Sequence, residues 1–75
     1  MDARQLGARL AAARHAAGLS QRQVAAALGI HQPSLVVIEN GKRAVTALEL
    51  AAMARLYRVS TDDLLALPEQ VKQAA

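Results

Sequence analysis

Few side chains in this chain are equipped for bond-making chemistry. His15 and His31 lie far apart, Asp62 and Asp63 are adjacent, and there is no cysteine. A nucleophile needs a base within hydrogen-bond reach, and a structural metal site needs a spaced set of ligands. Neither pattern is present. Adjacent carboxylates fit a helix start, where orphan N–H groups and the positive end of the dipole favour negative charge. His15 reads as a solvated residue near a helix end. The expectation is therefore a non-enzyme with no catalytic residue, no metal ligand and no cofactor. What remains is recognition by charge and hydrogen bonding. Residues 1–43 carry Arg4, Arg9, Arg14, Arg22, Lys42 and Arg43 against Asp2 and Glu39, a balance of +4 within a whole-chain charge of +3. Residues 44–75 are slightly acidic. A basic half suggests a polyanionic partner.

The elements that must hold these groups are short. With 75 residues the chain is one small domain. A core of that size is marginal, so close helix packing or dimerisation would help. Alanine and leucine dominate the apolar residues and favour helix, giving an all-α expectation. Tyr57 is the sole aromatic, which argues against a single-strand binder that stacks bases on rings. No apolar run approaches a membrane span of about 20 residues. The first ten residues lack the apolar stretch of a signal peptide. A soluble, cytoplasmic protein with no membrane partner is expected.

The chain is organised around residues 20–41, SQRQVAAALGIHQPSLVVIENG. Ser20 and Gln23 stand at capping-box spacing and open a helix over about 21–28. Gly29 lets the backbone leave it with positive φ. A second helix follows over about 32–39. Pro33 falls in its first turn, where its missing N–H has no partner to lose. The N-cap is either His31 or Gln32. Val24, Ala25 and Leu28 face inward from one helix, and Leu35 and Ile38 from the other.

Before this pair, a helix over about 3–17 presents Leu6, Leu10, Ala13 and Ala17 as a buried stripe and stops at Gly18. After it come a basic loop, Lys42 to Val45, and a helix capped by Thr46 and Glu49. Leu50, Met53, Ala54 and Tyr57 form that helix's inner face. Ser60 and Asp63 open a short last helix carrying Leu64, Leu65 and Leu67, and Pro68 stops it. The organisation expected is one domain over residues 1–67 and a flexible tail over 68–75.

Five short helices, with SQ opening the second, LG in the turn and IENGKR after the third, resemble the Cro/repressor-type (XRE family) helix-turn-helix domain. The resemblance covers about residues 6–66 and rests on Gln21, Ala25, Gly29, Leu35, Ile38 and the run from Glu39 to Arg43. It implies a compact five-helix, lambda-repressor-like bundle whose third helix enters the major groove of double-stranded DNA. The outward, base-facing positions are then Gln32, Pro33, Ser34, Val36 and Val37, with Gln32 suited to adenine. The resemblance assigns phosphate contacts to Gln21, Arg22, Asn40, Lys42 and Arg43. It makes Arg14 and Glu39 an ion pair tying the first helix to the end of the third.

One departure stands out. Relatives often carry a long polar side chain at the position of Val37. Two exposed valines offer only methyl contacts, which fits a thymine-rich site, readout through DNA shape, or a partner protein docking there. The function implied is a transcriptional regulator, a repressor in bacterial or phage fashion, acting as a homodimer, with Leu64, Leu65 and Leu67 forming either the dimer surface or, for Leu64 above all, part of the core. The alternative is the antitoxin of a toxin–antitoxin pair, binding a co-encoded toxin and autoregulating its operon.

Overall fold

The computed structural model describes residues 1–65. Over that range the chain forms five helices: α1 (Ala3–Ala16), α2 (Gln21–Leu28), α3 (Gln32–Glu39), α4 (Ala47–Tyr57) and α5 (Thr61–Leu65). No strand occurs among the described residues, so the all-α, five-helix expectation holds. Leu67, Pro68 and the expected tail lie outside the described residues.

The helix starts follow local chemistry. The Asp2, Ser20 and Thr46 side chains each accept the backbone N–H three residues on, and Gln5, Gln23 and Glu49 return a bond to the cap N–H. The Ser60 hydroxyl accepts from the Asp63 N–H at 3.0 Å. α3 lacks such a cap. His31 is its N-cap residue by backbone conformation and makes no side-chain capping bond. Pro33, second in the helix, supplies the start instead by fixing φ and removing one orphan donor.

α1 ends one residue earlier than expected, with Ala17 as C-cap. Ala17 is exposed rather than part of the buried stripe. The chain has begun its turn there, with the Leu19 N–H reaching back to the Arg14 carbonyl at 3.2 Å. Gly29 closes α2 at φ 69°, in the left-handed region where a Cβ is strained.

Leu10, Val24, Leu35, Ile38, Met53, Ala54, Tyr57 and Leu64 form one core. Leu6, Ala13, Leu19, Leu28, Ile30, Val45, Leu50, Leu56 and Val59 pack around it. Each fully buried Leu or Ile stabilises the fold by about 1.5–3 kcal/mol relative to exposure. α3 lies against both α1 and α2, so its orientation is set from two sides. α1 approaches α3 through Gly7. A Cβ on Gly7 would stand 2.5 Å from the Glu39 carbonyl oxygen and 2.6 Å from that of Ile38. A glycine inside a helix lowers its intrinsic stability, and here it permits backbone contact between two helices.

No helix among the described residues is long and apolar enough to cross a membrane. No group of histidines, aspartates and glutamates there is placed to hold a metal ion.

Candidate nucleic-acid interface

A buried polar knot stands at the end of α3, beside residues expected to contact phosphate. The Arg14 Nε–H donates to Glu39 Oε2 at 2.7 Å, and Nη2 donates to Oε1 at 3.1 Å. The remaining amino group, Nη1, donates to the Leu19 carbonyl at 3.0 Å. Gln21 Nε2 donates to Glu39 Oε1 at 3.0 Å. Both charged residues are buried. The hydrogen bond that Arg14 donates to Glu39 holds the Arg14 pKa above its ordinary value. A buried pair of this kind survives only because every strong donor and acceptor is matched. It joins α1, the start of α2 and the end of α3 at one point.

This geometry explains the inward turn of Glu39 and makes Gln21 a bridging residue. One amide N–H of Gln21 serves Glu39, which leaves one donor for another acceptor. Arg22, its neighbour, is exposed. Asn40 and Lys42 are exposed and follow directly in the turn after α3. The Asn40 N–H bonds the Val36 carbonyl and the Lys42 N–H bonds the Val37 carbonyl, so the turn is tied to the helix. Gly41 sits in it at φ 74°. A Cβ there would come 2.5 Å from the Arg4 Cα. Gln21, Asn40 and Lys42 are thus gathered around the C-terminal end of α3.

Arg43 belongs to the same loop, yet its side chain is already engaged. Nη1 and Nη2 each donate to one carboxylate oxygen of Glu49 at 3.0 Å. Nη1 also donates to the Ala44 carbonyl at 3.2 Å. Glu49 in turn accepts from the Thr46 N–H at 2.9 Å. Arg43 together with the Thr46 N–H holds the Glu49 carboxyl well below the usual range, at about 2. Sequence spacing marked Glu49 as a cap and gave no sign of the second partner.

Of the expected base-facing residues one group, Gln32, Pro33 and Ser34, lies at the opposite end of α3, while Val36 and Val37 lie between the two ends. At 1.5 Å of rise per residue the two groups are roughly 10 Å apart along the axis. Pro33 is exposed, while Gln32 and Ser34 are half-buried. Val36 and Val37 are half-buried too, which corrects the expectation of two exposed valines. With Leu35, Ile38 and Glu39 inward, their flanks are partly covered by the helix's own neighbours. Leu64, expected either at a dimer surface or in the core, is in the core at 3 % exposure. Leu65 is half-buried.

Two further ties escaped the sequence. The Arg9 Nε–H donates to the Leu64 carbonyl and Nη2 to the Asp63 carbonyl, both at 3.0 Å, anchoring α5 to α1. α4 presents an outer face of Leu48, Ala51, Ala52 and Leu56 with Arg55 among them, and Leu48 is 85 % exposed. An i, i+4, i+8 leucine–alanine–leucine series was legible, but its exposure was not.

The comparisons with known proteins agree with this architecture. A family model described as a helix-turn-helix domain matches residues 5–67. Among solved structures, the chain is similar to the restriction-modification controller protein C.AhdI from Aeromonas hydrophila. The two share 28 % identity and a TM-score of 0.74, over 81 % of this chain and 92 % of that one. No curated protein matches.

Proposed function

The chain belongs to the helix-turn-helix domain family, and from that premise we propose that it is a transcription regulator that binds double-stranded DNA through α3. The observation that carries the reading is the placement of α3. Its inner face is locked by Leu35, Ile38 and the Arg14–Glu39–Gln21 knot, and its first turn stands open at Pro33. A helix held that way can enter the major groove, where each base pair presents its own donor and acceptor pattern. Likeness to a protein described as a restriction-modification controller supports the regulatory half of the reading.

In this reading Gln32 and Ser34 reach base edges, and Pro33, Val36 and Val37 contribute shape and methyl contacts. Gln21, Arg22, Asn40, Lys42 and Arg43 meet phosphates. Such contacts position the protein and make affinity fall with salt, without selecting sequence. We take the regulator to be a repressor, with residues 1–67 as the binding domain and 68–75 as a tail. The antitoxin alternative leaned on the Val36–Val37 surface and on the small size of the chain; both valines are half-buried, so that surface is smaller than expected.

A single module makes a small interface with DNA, and a two-fold pair binding half-sites about one helical turn apart would double it. We place the contact between copies on the outer face of α4, around Leu48, in place of Leu64.

A gel-shift titration against the DNA upstream of its own gene tests the reading. The wild-type protein is expected to retard that duplex in preference to a scrambled one. Gln32→Ala should cost about 1–3 kcal/mol of that preference. Equal retardation of both duplexes by the wild type would remove sequence-specific regulation from consideration.

A further inference from the structure

Arg43 and Glu49 form a fork whose geometry goes beyond a phosphate contact. A guanidinium has five N–H donors in one plane. In Arg43, Nη1 spends its two on Glu49 and on the Ala44 carbonyl, and Nη2 spends one on Glu49. The two donors left are Nε–H and the second Nη2–H. These lie side by side on one edge, the edge that Arg14 uses to grip Glu39. An arginine edge of two parallel N–H groups is what a phosphate accepts bidentately. The fork is open on the arginine side, with the Arg43 side chain 37 % exposed against 14 % for Glu49.

Glu49 is well suited to act as the fixed half. Its carboxylate is anchored by the Thr46 N–H at the first turn of α4, and it stays ionised because its pKa is held down to about 2. A surface arginine on a flexible stem loses rotamer freedom when it binds. Here much of that loss is taken on folding, before any ligand arrives.

We propose that Glu49 is a positioning residue for the interface: it clamps Arg43 by its outer end so that the free Nε–Nη2 edge is presented to a phosphate of the DNA backbone. The proposal rests on the DNA-binding reading above. It makes Arg43 differ from Lys42, which brings only a mobile point charge. It also gives an outcome opposite to simple electrostatics. Glu49 is an anion near a polyanion, so on charge alone its removal would tighten binding. If it clamps Arg43, removal loosens binding.

The test is a fluorescence-anisotropy titration of a labelled mixed-sequence duplex with wild-type protein, Glu49→Gln, Arg43→Ala and Arg43→Lys, each also followed by thermal melting. Glutamine keeps an acceptor for the Thr46 N–H and lacks the second charged oxygen. Glu49→Gln is expected to weaken binding about tenfold, the worth of one charge-assisted hydrogen bond. Arg43→Lys should lose nearly as much as Arg43→Ala, because an ammonium cannot grip two acceptors on two edges. Arg43→Ala should cost little further when added to Glu49→Gln. Equal or tighter binding by Glu49→Gln overturns the clamp, and so does full rescue by Arg43→Lys. If Glu49→Gln fails to fold, the lysine variant still decides. A wild-type protein that does not bind the duplex at all takes down the DNA-binding reading and the clamp with it. A wild type that binds while Glu49→Gln binds as well takes down the clamp alone.

Discussion

At the scale of single residues, the polar groups of this protein divide by burial. Arg14 and Glu39 are buried and matched donor to acceptor, with Gln21 completing the set. Tyr57 is the contrasting case. It is buried at 5 % exposure, and its hydroxyl has no hydrogen-bond partner among the described residues. Burial, with the nearby Glu39 charge adding to it, pushes its pKa up to about 12 from 10. A raised tyrosine pKa means that the folded state favours the neutral form. The resulting stability is present below pH 10 and is lost as pH rises toward 12. Because Tyr57 is the only tyrosine, tyrosinate absorbance reports on it alone. The absorbance is expected to rise above pH 10 together with loss of helical signal. Tyr57→Phe should flatten that alkaline limb and leave the neutral-pH melting temperature unchanged or higher, since no bond is lost. A clear fall in melting temperature for the phenylalanine variant would mean that the hydroxyl has a partner after all.

At the scale of elements, the decisive contacts are close approaches of backbone. Gly7 lets α1 lie directly on the last carbonyls of α3. Those carbonyls cannot retreat, because Glu39 is pinned by Arg14 and Gln21. Gly7→Ala gains helix propensity of about 1 kcal/mol and pays an overpacking cost of about 1–3 kcal/mol or more. With backbone oxygens 2.5 Å away, overpacking wins. A net loss of about 2 kcal/mol is expected from denaturant melts. DNA affinity should fall as well, because α3 shifts relative to α2. A stabilised Gly7→Ala protein would show that the two helices can separate freely. Capping was the most legible feature at this scale. The Ser20–Gln23 and Thr46–Glu49 boxes form as their spacing indicates, since both bonds lie within one turn of chain. Asp2 and Gln5 form a third box that the same rule would have found.

At the scale of the whole molecule, the asymmetry is between a polar basic end and an apolar outer face. The turn after α3 gathers Asn40, Lys42 and Arg43, while α4 exposes Leu48 and Ala51 with Ala52 and Leu56 half-buried beside them. If that face joins two copies, Leu48→Glu should convert a species of twice the chain mass into monomer in sedimentation experiments. Its melting temperature at low protein concentration should be unchanged, because a side chain 85 % exposed contributes little to the core. Affinity for a palindromic duplex should drop more than affinity for a half-site. An unchanged mass for Leu48→Glu would move the contact elsewhere. Leu64, by contrast, is a core residue. Leu64→Ala should cost about 2–5 kcal/mol of stability whatever the oligomeric state.

The sequence by itself determined the five helices, the caps at Ser20, Thr46 and Ser60, the glycine turn between α2 and α3 and the inward set Leu35 and Ile38. Each of these is decided within a few residues, by hydrogen bonds across one turn or by the 3.6-residue period. It also indicated the ion pair of Arg14 with Glu39, through family resemblance rather than spacing. Only the tertiary structure decided which polar side chains meet across the chain. Gln21 reaches Glu39, Arg9 reaches the α5 carbonyls, and Glu49 takes hold of Arg43. Only it decided that Val36 and Val37 are half-covered, that Leu64 is interior and that Leu48 is bare. Those outcomes depend on the angles at which helices cross. A pattern of apolar residues marks a face, but what covers that face is set by elements far away in sequence.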